Sequence, residues 1–482
     1  MNRSTRDNIL FLLLLLNSAY GQTFSDFIDK VNATAVEQRD AVVDSFIAAQ
    51  ESFPLIETDS LVYFIYQGGG SKITIPCDAN LWSPNDYPMT RLSTTDLWYL
   101  GKKFEPDARL EYCFSVDEIA WILDDLNANI SQYGYEERSV LEMPKYVPPQ
   151  EILYDETIPH GNLIDDEISS SILGNTRPIC IYTPPGYEAS GEKYPLIMFN
   201  DGGAYLYSAC ANNILDYLIA RKQIRPVIAL FVPAIKRTAE YAGGLKDEFA
   251  LFIVNELLPY IDHQFRTYTN AGNRAVMGAS DGGIISLFIG LTHPQAFANV
   301  GIQSSLVDGY QLADFPDYRS KEMKIYLDVG TYDRDIYVAA ARDLVSLLAQ
   351  KEYAYEYHEY HEGHTFGNWR AHLDDALKFF FPYLPDDDEN PSEKDKTPVV
   401  IENFPNPFHM TTVIRFCLPQ PAYGRVTIFD SKGREVSDLV NDHLGSGVLY
   451  YHFDGSGLAS GIYICNLNME GYKGHHRMVL IK

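Results

Sequence analysis

Positive charge is scarce in this sequence. Of 482 residues, 38 are Lys or Arg against 65 Asp or Glu, a formal net charge of −27. A surface that acidic repels phosphate backbones and anionic headgroups, so nucleic acid is excluded as a partner. Cysteine is also sparse, with six residues at Cys77, Cys113, Cys180, Cys210, Cys417 and Cys465. None lies in a Cys-x-x-Cys pair or a Cys/His cluster, so neither a zinc site nor any other metal or cofactor is expected. Two cysteines fall in each of three segments, which leaves pairs such as Cys77–Cys113 or Cys417–Cys465 open, but buried free thiols are the favoured reading. Long apolar runs are missing except at the N-terminus. There Arg3 and Arg6 precede an unbroken apolar stretch over residues 9–16 and the small residues Ser18, Ala19 and Gly21. A bilayer span takes ~20 apolar residues. Residues 1–21 therefore read as an export signal rather than an anchor.

What remains is ordinary folded protein. The apolar fraction is 46%, and a chain this long divides into several domains. Residues 22–58 carry apolar residues at helical spacing (Phe24, Phe27, Ile28, Val31; then Val42, Val43, Phe46, Ile47), a packing element without chemistry. Residues 59–148 change to short alternating strands, at 61–66, 72–75, 97–100 and 110–116, and predict a small immunoglobulin-like β-sandwich. From about 149 to 384 strands alternate with helices, the pattern of a mostly parallel sheet covered on both faces. Strands are expected at 178–183, 194–200, 226–232, 274–278, 324–329 and 355–360, and helices at 247–263, 282–291, 337–350 and 368–381. Residues 385–398 are acidic and nearly without apolar side chains, hence a linker. Residues 399–482 return to strand and turn and form a last β-domain. The fold class is thus α/β, an α/β-hydrolase domain between two β-sandwiches.

The chemistry concentrates at Gly278-Ala279-Ser280-Asp281-Gly282-Gly283. A serine in a tight strand-to-helix turn has its hydroxyl lifted above the sheet edge, and the flanking glycines let strand and helix cross closely. A serine hydroxyl is a weak nucleophile at neutral pH and needs a base, which in turn needs an orienting acid. The next strand ends at Gly330-Thr331-Tyr332-Asp333, so Asp333 is the expected acid. Asp335 is the runner-up, and Asp328, inside the strand, reads as structural. The following strand leads to Gly363-His364, so His364 is the expected base, while His358 and His361 lie in or at the edge of the strand. Ser, Asp, His is the chain order of α/β-hydrolases. The first hydrolase strand ends at Asn200-Asp201-Gly202-Gly203, where a glycine amide, Gly203 before Gly202, would pair with the Asp281 amide as an oxyanion hole.

These stretches resemble the esterase D and enterochelin-esterase-like family over about residues 59 to 383. The resemblance is carried by Tyr182-Thr183-Pro184-Pro185-Gly186-Tyr187, Asp201-Gly202, Arg237 with Glu240-Tyr241, Glu256-Leu257-Leu258-Pro259, the Ser280 turn, Gly330-Thr331-Tyr332-Asp333, and Gly363-His364 with Trp369-Arg370. It implies hydrolysis of a carboxylic ester through an acyl-enzyme. It also makes Arg237 and Trp369 candidate substrate contacts, although an ion pair of Arg237 with Glu240 or another carboxylate is equally open. The β-sandwich resembles that family's N-terminal early-set domain through Thr95-Asp96-Leu97-Trp98-Tyr99, Leu110-Glu111-Tyr112-Cys113-Phe114 and Met143-Pro144. It has Asp124-Asp125-Leu126-Asn127 where Asp-Pro-x-Asn is usual. Trp82, Trp98 and Trp121 read as core rather than a sugar platform. The last segment resembles type IX secretion C-terminal sorting domains, through Asn403-Phe404-Pro405-Asn406-Pro407-Phe408, Lys432-Gly433-Arg434, Ser460-Gly461-Ile462-Tyr463 and the closing Lys482. That implies a Bacteroidetes-like source, the type IX machinery as partner through 399–482, and release or display outside the outer membrane. The expected function is a secreted serine esterase acting on a small-molecule or polysaccharide-linked ester. A carbohydrate esterase removing acetyl or feruloyl groups, and a non-catalytic surface glycan-binding protein, are the alternatives.

Overall fold

A computed structural model describes residues 23–133, 136–307, 323–383, 401–418, 422–444, 447–469 and 472–482. The expected export signal and the whole of the expected linker lie outside the described residues. The chain divides into two compact units, one reaching to Val147 and including His361–Gly363, the other comprising Pro148–Tyr360 and His364–Lys482.

The first unit opens with two helices, Phe24–Ala33 and Arg39–Ile47. The first is closed by a capping box, in which Thr23 and Asp26 exchange side-chain bonds to each other's amides. Phe24, Phe27, Val31, Val43 and Phe46 bury against Ile65 and Leu97 of the adjoining sheet and against Leu92 in one of its turns. Three small antiparallel sheets follow, and the stretch expected as one strand over 110–116 is two. Arg109–Tyr112 pairs with Glu136–Glu142, and Phe114–Val116 pairs with Ile73–Thr74, so the chain changes sheets at Cys113. The Asp124 turn forms without its usual proline. Tyr112 donates to the Asp124 carboxylate at 2.6 Å, Leu126 N donates to it at 3.0 Å, and Asn127 closes onto Val140 O at 2.8 Å. Trp98 is buried, but Trp121 is 43% exposed and stacks on half-buried Trp82 at 6.1 Å, which corrects the core assignment for Trp121.

The second unit is built on an eight-stranded sheet. Its strands are β1 (Asn162–Ser170), β2 (Asn175–Thr183), β3 (Leu196–Asn200), β4 (Ile228–Val232), β5 (Arg274–Ala279), β6 (Asn299–Gln303), β7 (Lys324–Gly330) and β8 (Ala354–Tyr360). Their spatial order is β1-β2-β4-β3-β5-β6-β7-β8, antiparallel for the first two and parallel from β4 to β8. The central strands β3 to β6 are buried along their whole length, as a sheet packed on both faces requires. One face packs under Phe249, Phe252, Ile285 and Leu344, the other under Ile214, Leu218, Leu377 and Phe380.

Seven helices position or cover the site: α1 (Gly202–Tyr207), α2 (Ala211–Ala220), α3 (Arg237–Tyr241), α4 (Asp281–Thr292), α5 (Asp335–Gln350), α6 (Phe366–Ala371) and α7 (Leu373–Phe380). The helix expected over 368–381 is thus two, broken at His372. The run from Lys246 to Gln264 carries a π-turn at Ile253–Leu257. Residues 401–480 form a three-stranded and a four-stranded antiparallel sheet around their own core of Ile414, Phe416, Val426, Ile428 and Phe453. Cys77, Cys113, Cys180, Cys210 and Cys465 are free thiols, while the Cys417 side chain lies outside the described residues.

Candidate active site

The parallel strands all point the same way, so the loops after β3, β5, β7 and β8 gather along one edge of the sheet, where open α/β sheets bind ligands. Ser280 follows β5 directly. Its backbone sits at φ 55°, ψ −125°, a region that L-residues avoid. Two bonds hold it there: Ser280 N donates to Gln303 O at 2.8 Å, and Ser305 Oγ donates to Ser280 O at 2.7 Å. The glycines have defined tasks. A Cβ on Gly278 would overlap the Gly282 backbone, and one on Gly283 would overlap Ser305 Oγ. Helix α4 begins at the next residue, so its N-terminal amides face the serine, where they favour developing negative charge.

Asp333 lies just past β7, its side chain 1% exposed, and His364 lies past β8 at 32%. The His364 Nδ1 is 2.8 Å from Asp333 Oδ2. A carboxylate only accepts, so Nδ1 carries the hydrogen and Nε2 is left with its lone pair, the tautomer a general base needs. The other Asp333 oxygen accepts the Arg334 amide at 2.9 Å, which fixes the carboxylate plane. Tyr337 and Trp369 flank the imidazole at ring separations of 5.1 and 5.0 Å. The other candidates are engaged elsewhere. Asp335 is exposed at the start of α5. His358 Nε2 lies 3.0 Å from Glu356, and His361 Nδ1 lies 2.7 Å from Asp107. Asp328 is buried in β7, and burial raises its carboxyl to about 6.

At the end of β3, Asp201 turns the chain with a left-handed backbone (φ 56°, ψ 42°) into α1. Ala204 and Tyr205 N close onto Asp201 O, so Gly202 and Gly203 supply the first amides of that helix. A Cβ on Gly202 would overlap the backbone of Phe231 and Val232, whereas Gly203 faces open space. The close approach of α1 to β4 therefore depends on Gly202, while Gly203 lies at the surface.

The two candidate substrate contacts, Trp369 and Arg237, are engaged by neighbouring residues. Trp369 is 5% exposed and packs edge-on to His364 and Phe366, so it supports the histidine instead of presenting a surface. Arg237 pairs with Asp201 and Asp281, not with Glu240, which is buried against Arg177 at 3.1 Å. The sequence reading missed Gln303. It is fully buried at the end of β6, its carbonyl holds Ser280 N, and its amide donates to Asp328 at 2.8 Å and to Trp369 O at 3.0 Å. Tyr205 donates to its side-chain oxygen at 2.8 Å. One residue, through its backbone carbonyl and its side chain, thereby ties the serine turn to the helix that follows His364. A polar residue closing a short buried strand was the available signal.

The esterase family model matches residues 170–380, and the secretion-system C-terminal sorting-domain model matches residues 402–482. Residues 170–380 are an esterase domain. The chain is accordingly a carboxylic-ester hydrolase, and its type IX sorting tail marks it as secreted or displayed at the cell surface. Among the described residues no helix is long and apolar enough to cross a membrane. The uncharacterized protein YjcH of Bacillus subtilis is 26% identical over 234 residues, 45% of this chain and 97% of that protein. An endo-1,4-beta-xylanase/feruloyl esterase of Xylanibacter ruminicola is 26% identical over 240 residues, but the match spans only 32% of its length. The iron(III) enterobactin esterase of Escherichia coli K12 is 27% identical over 243 residues, 45% of this chain and 60% of that enzyme. Among solved structures, the ferric enterobactin esterase of Salmonella typhimurium superposes with a TM-score of 0.60 at 20% identity, over 70% of this chain and 98% of that one. At that identity the likeness establishes the fold.

Proposed function

We propose that this esterase is a serine hydrolase in which Ser280 is the nucleophile, His364 the general base and Asp333 its orienting acid. Ser280 Oγ attacks the ester carbonyl while His364 Nε2 takes its proton. The C–O bond to the alcohol then breaks, His364 returns the proton to the leaving oxygen, and an acyl-Ser280 remains. Water, deprotonated by His364, attacks that acyl group and releases the acid and the free serine. The amides of Gly203 and Asp281 are the donors for the oxyanion formed in each step. The observation that carries this reading is the 2.8 Å bond between His364 Nδ1 and Asp333, at the same sheet edge as a serine held at positive φ.

The substrate we favour is an ester of the enterobactin type. The fold likeness to enterobactin esterases covers 70% of the chain, a longer stretch than the esterase segment alone. That length supports reading the first unit's antiparallel sheets as the immunoglobulin-like early-set domain. The match to a feruloyl esterase sustains a second reading, removal of acetyl or feruloyl groups from plant polysaccharide. A glycan-binding role without catalysis would leave the His364–Asp333 pair without a task. The first test is Ser280→Ala, which should abolish p-nitrophenyl acetate hydrolysis and leave circular dichroism and thermal melting unchanged. Full activity in that variant would overturn the assignment. A panel of catecholate siderophore, feruloylated arabinoxylan and acetylated xylan then chooses the substrate class.

A further inference from the structure

We infer that Arg237 is a positioning residue for the oxyanion hole, holding Asp201 and Asp281 on its two sides, and not a clamp for an anionic acyl group. The inference rests on the Ser280 reading above. Its starting observation is how the guanidinium is used. Arg237 Nε lies 3.0 Å from both oxygens of Asp201, and Nη2 lies 2.8 Å from Asp201 Oδ2. Nη1 donates to Asp281 Oδ2 at 3.0 Å, and Nη2 also reaches Ala279 O at 3.4 Å. An arginine has five N–H groups, and holding a carboxylate through two points takes a parallel pair of them. Here the Nε group, both Nη2 groups and one Nη1 group are committed. A single N–H remains, too few to grip an incoming carboxylate by a two-point fork.

The three partners are the residues that shape the hole. Asp201 precedes Gly202 and Gly203, Ala279 precedes Ser280, and Asp281 follows it. Asp201 stands in a left-handed conformation that disfavours any residue with a side chain. Helix α3 holds it from two directions. Arg237 takes its carboxylate, and Tyr241, one turn further on, accepts its backbone N–H at 2.8 Å. Tyr241 is buried, and its ring lies 5.5 Å from the guanidinium. Helix α3 is itself fixed. Glu240 is buried and paired with fully buried Arg177 of β2 at 3.1 and 3.3 Å, and it accepts the amides of Ile235 and Lys236. The order of support therefore runs from Arg177 to Glu240, to Arg237 and Tyr241, to Asp201, and to the Gly203 amide.

Charge adds a second consequence. Asp201 and Asp281 place two negative charges beside the position where an oxyanion forms, and Arg237 cancels one. Without it the two carboxylates repel each other across Ser280 and oppose the developing charge. The loss falls on the transition state, hence on kcat.

The test uses the full chain with two esters sharing one leaving group, neutral p-nitrophenyl acetate and the anionic mono-p-nitrophenyl ester of succinic acid. Arg237→Met should lower kcat on the order of 10–100-fold on both esters, with KM changed by less than about threefold on either. Arg237→Lys, which keeps the charge but loses the fork, should lie between Arg237→Met and wild type. Adding Asp281→Asn to Arg237→Met should restore at least about fivefold of the lost kcat, because it removes one of the stranded charges. Arg237 is 42% exposed, so the variants should fold, and Arg237→Lys keeps the comparison decisive if Arg237→Met does not. An unchanged kcat on the neutral ester, with KM raised more than about tenfold only on the anionic one, would make Arg237 a substrate-binding residue and overturn the inference. Failure of the underlying site is read separately, as retained activity in Ser280→Ala.

Discussion

Replacing Asp333 by Asn tests the site at its most constrained bond. The two Asp333 oxygens have different partners: Oδ1 accepts Arg334 N at 2.9 Å, and Oδ2 faces His364 Nδ1 at 2.8 Å. An asparagine in the same rotamer must turn its carbonyl toward the Arg334 amide, since an amide NH2 cannot accept there. Its NH2 then points at Nδ1, and the imidazole answers by presenting a lone pair at Nδ1 and carrying its hydrogen on Nε2. That tautomer cannot take a proton from Ser280. The negative charge that stabilises the imidazolium is lost as well. The expected fall in kcat is on the order of 10³–10⁴ at pH 7, equivalent to about 4–5.5 kcal/mol of barrier. KM should change by less than about threefold, because neither group binds the ground state. The side chain is buried and the substitution isosteric, so the melting temperature should move by only a few degrees. Initial rates with p-nitrophenyl acetate and thermal melts by circular dichroism measure both. Asp335→Asn, at an exposed position two residues on, is the control and should stay within about twofold. A rate for Asp333→Asn within tenfold of wild type, or a greater loss for Asp335→Asn, would refute the acid assignment.

Gln303→Met keeps the volume of that side chain but strands Tyr205 Oη, the Asp328 carboxylate and Trp369 O, each buried group costing ~1–3 kcal/mol when left unpaired. Urea unfolding should show a loss of about 3–5 kcal/mol, and a loss under about 1 kcal/mol would contradict the hub role. Burial raises Asp328 to about 6 from the usual 3.8, so between pH 4 and 6 the native chain keeps a proton that the unfolded chain has lost. Stability through this group therefore falls as pH rises across that window and levels off above it. Asp328→Asn should remove that part of the slope, its urea midpoint gaining on wild type from pH 4 to 6 and then holding constant. Parallel profiles would show that Asp328 does not titrate there. In the first unit, Arg109 is buried between Glu111 at 3.2 Å and Glu362 at 4.0 Å. Arg109→Leu leaves those carboxylates buried without their cation and should cost about 3–5 kcal/mol, read as a lowered denaturation midpoint. An unchanged midpoint would refute that structural role for Arg109.

The hydrolase strands most readily read from sequence are those with an unbroken apolar run. Leu196–Asn200, Ile228–Val232 and Arg274–Ala279 are buried at every residue, and their apolar runs announce this. The two strands that escaped notice lack such a run for physical reasons. Asn162–Ser170 pairs on one side only, and alternates exposed and half-buried residues over Asp165, Asp166 and Glu167. An edge strand with a wet face resembles a loop. Asn299–Gln303 is fully buried, yet it begins with Asn, ends with Gln and holds Gly301 at its centre. Its polar termini are satisfied within the fold: Asn299 donates to the carbonyls of Gly272 and Arg274, and Gln303 serves the serine turn. A polar residue satisfied by partners far away in sequence looks the same as a solvated one, so the residue that links the serine turn to the histidine helix was the hardest to recognise.

The same reasoning separates what was legible at the site from what was not. Ser280, Asp333 and His364 stand out because chain order and strand ends fix where each must fall, and both constraints are local to the sequence. Arg237 stands out as a cation near the site, but what a cation holds depends on which carboxylates the fold brings within 3 Å. Here those are Asp201 and Asp281, 36 and 44 residues away, on turns that follow two different strands. Trp369 is ambiguous in the same way: an indole five residues after the histidine can line a cleft or support the imidazole, and the direction in which α6 leaves the loop decides. It leaves inward, so the ring packs edge-on to His364 and its face is withheld from substrate. The proposed nucleophile, base and acid are set by order along the chain. The groups that hold them in place are set by packing between strands, so the supporting residues are the part of the site that only three-dimensional structure can assign.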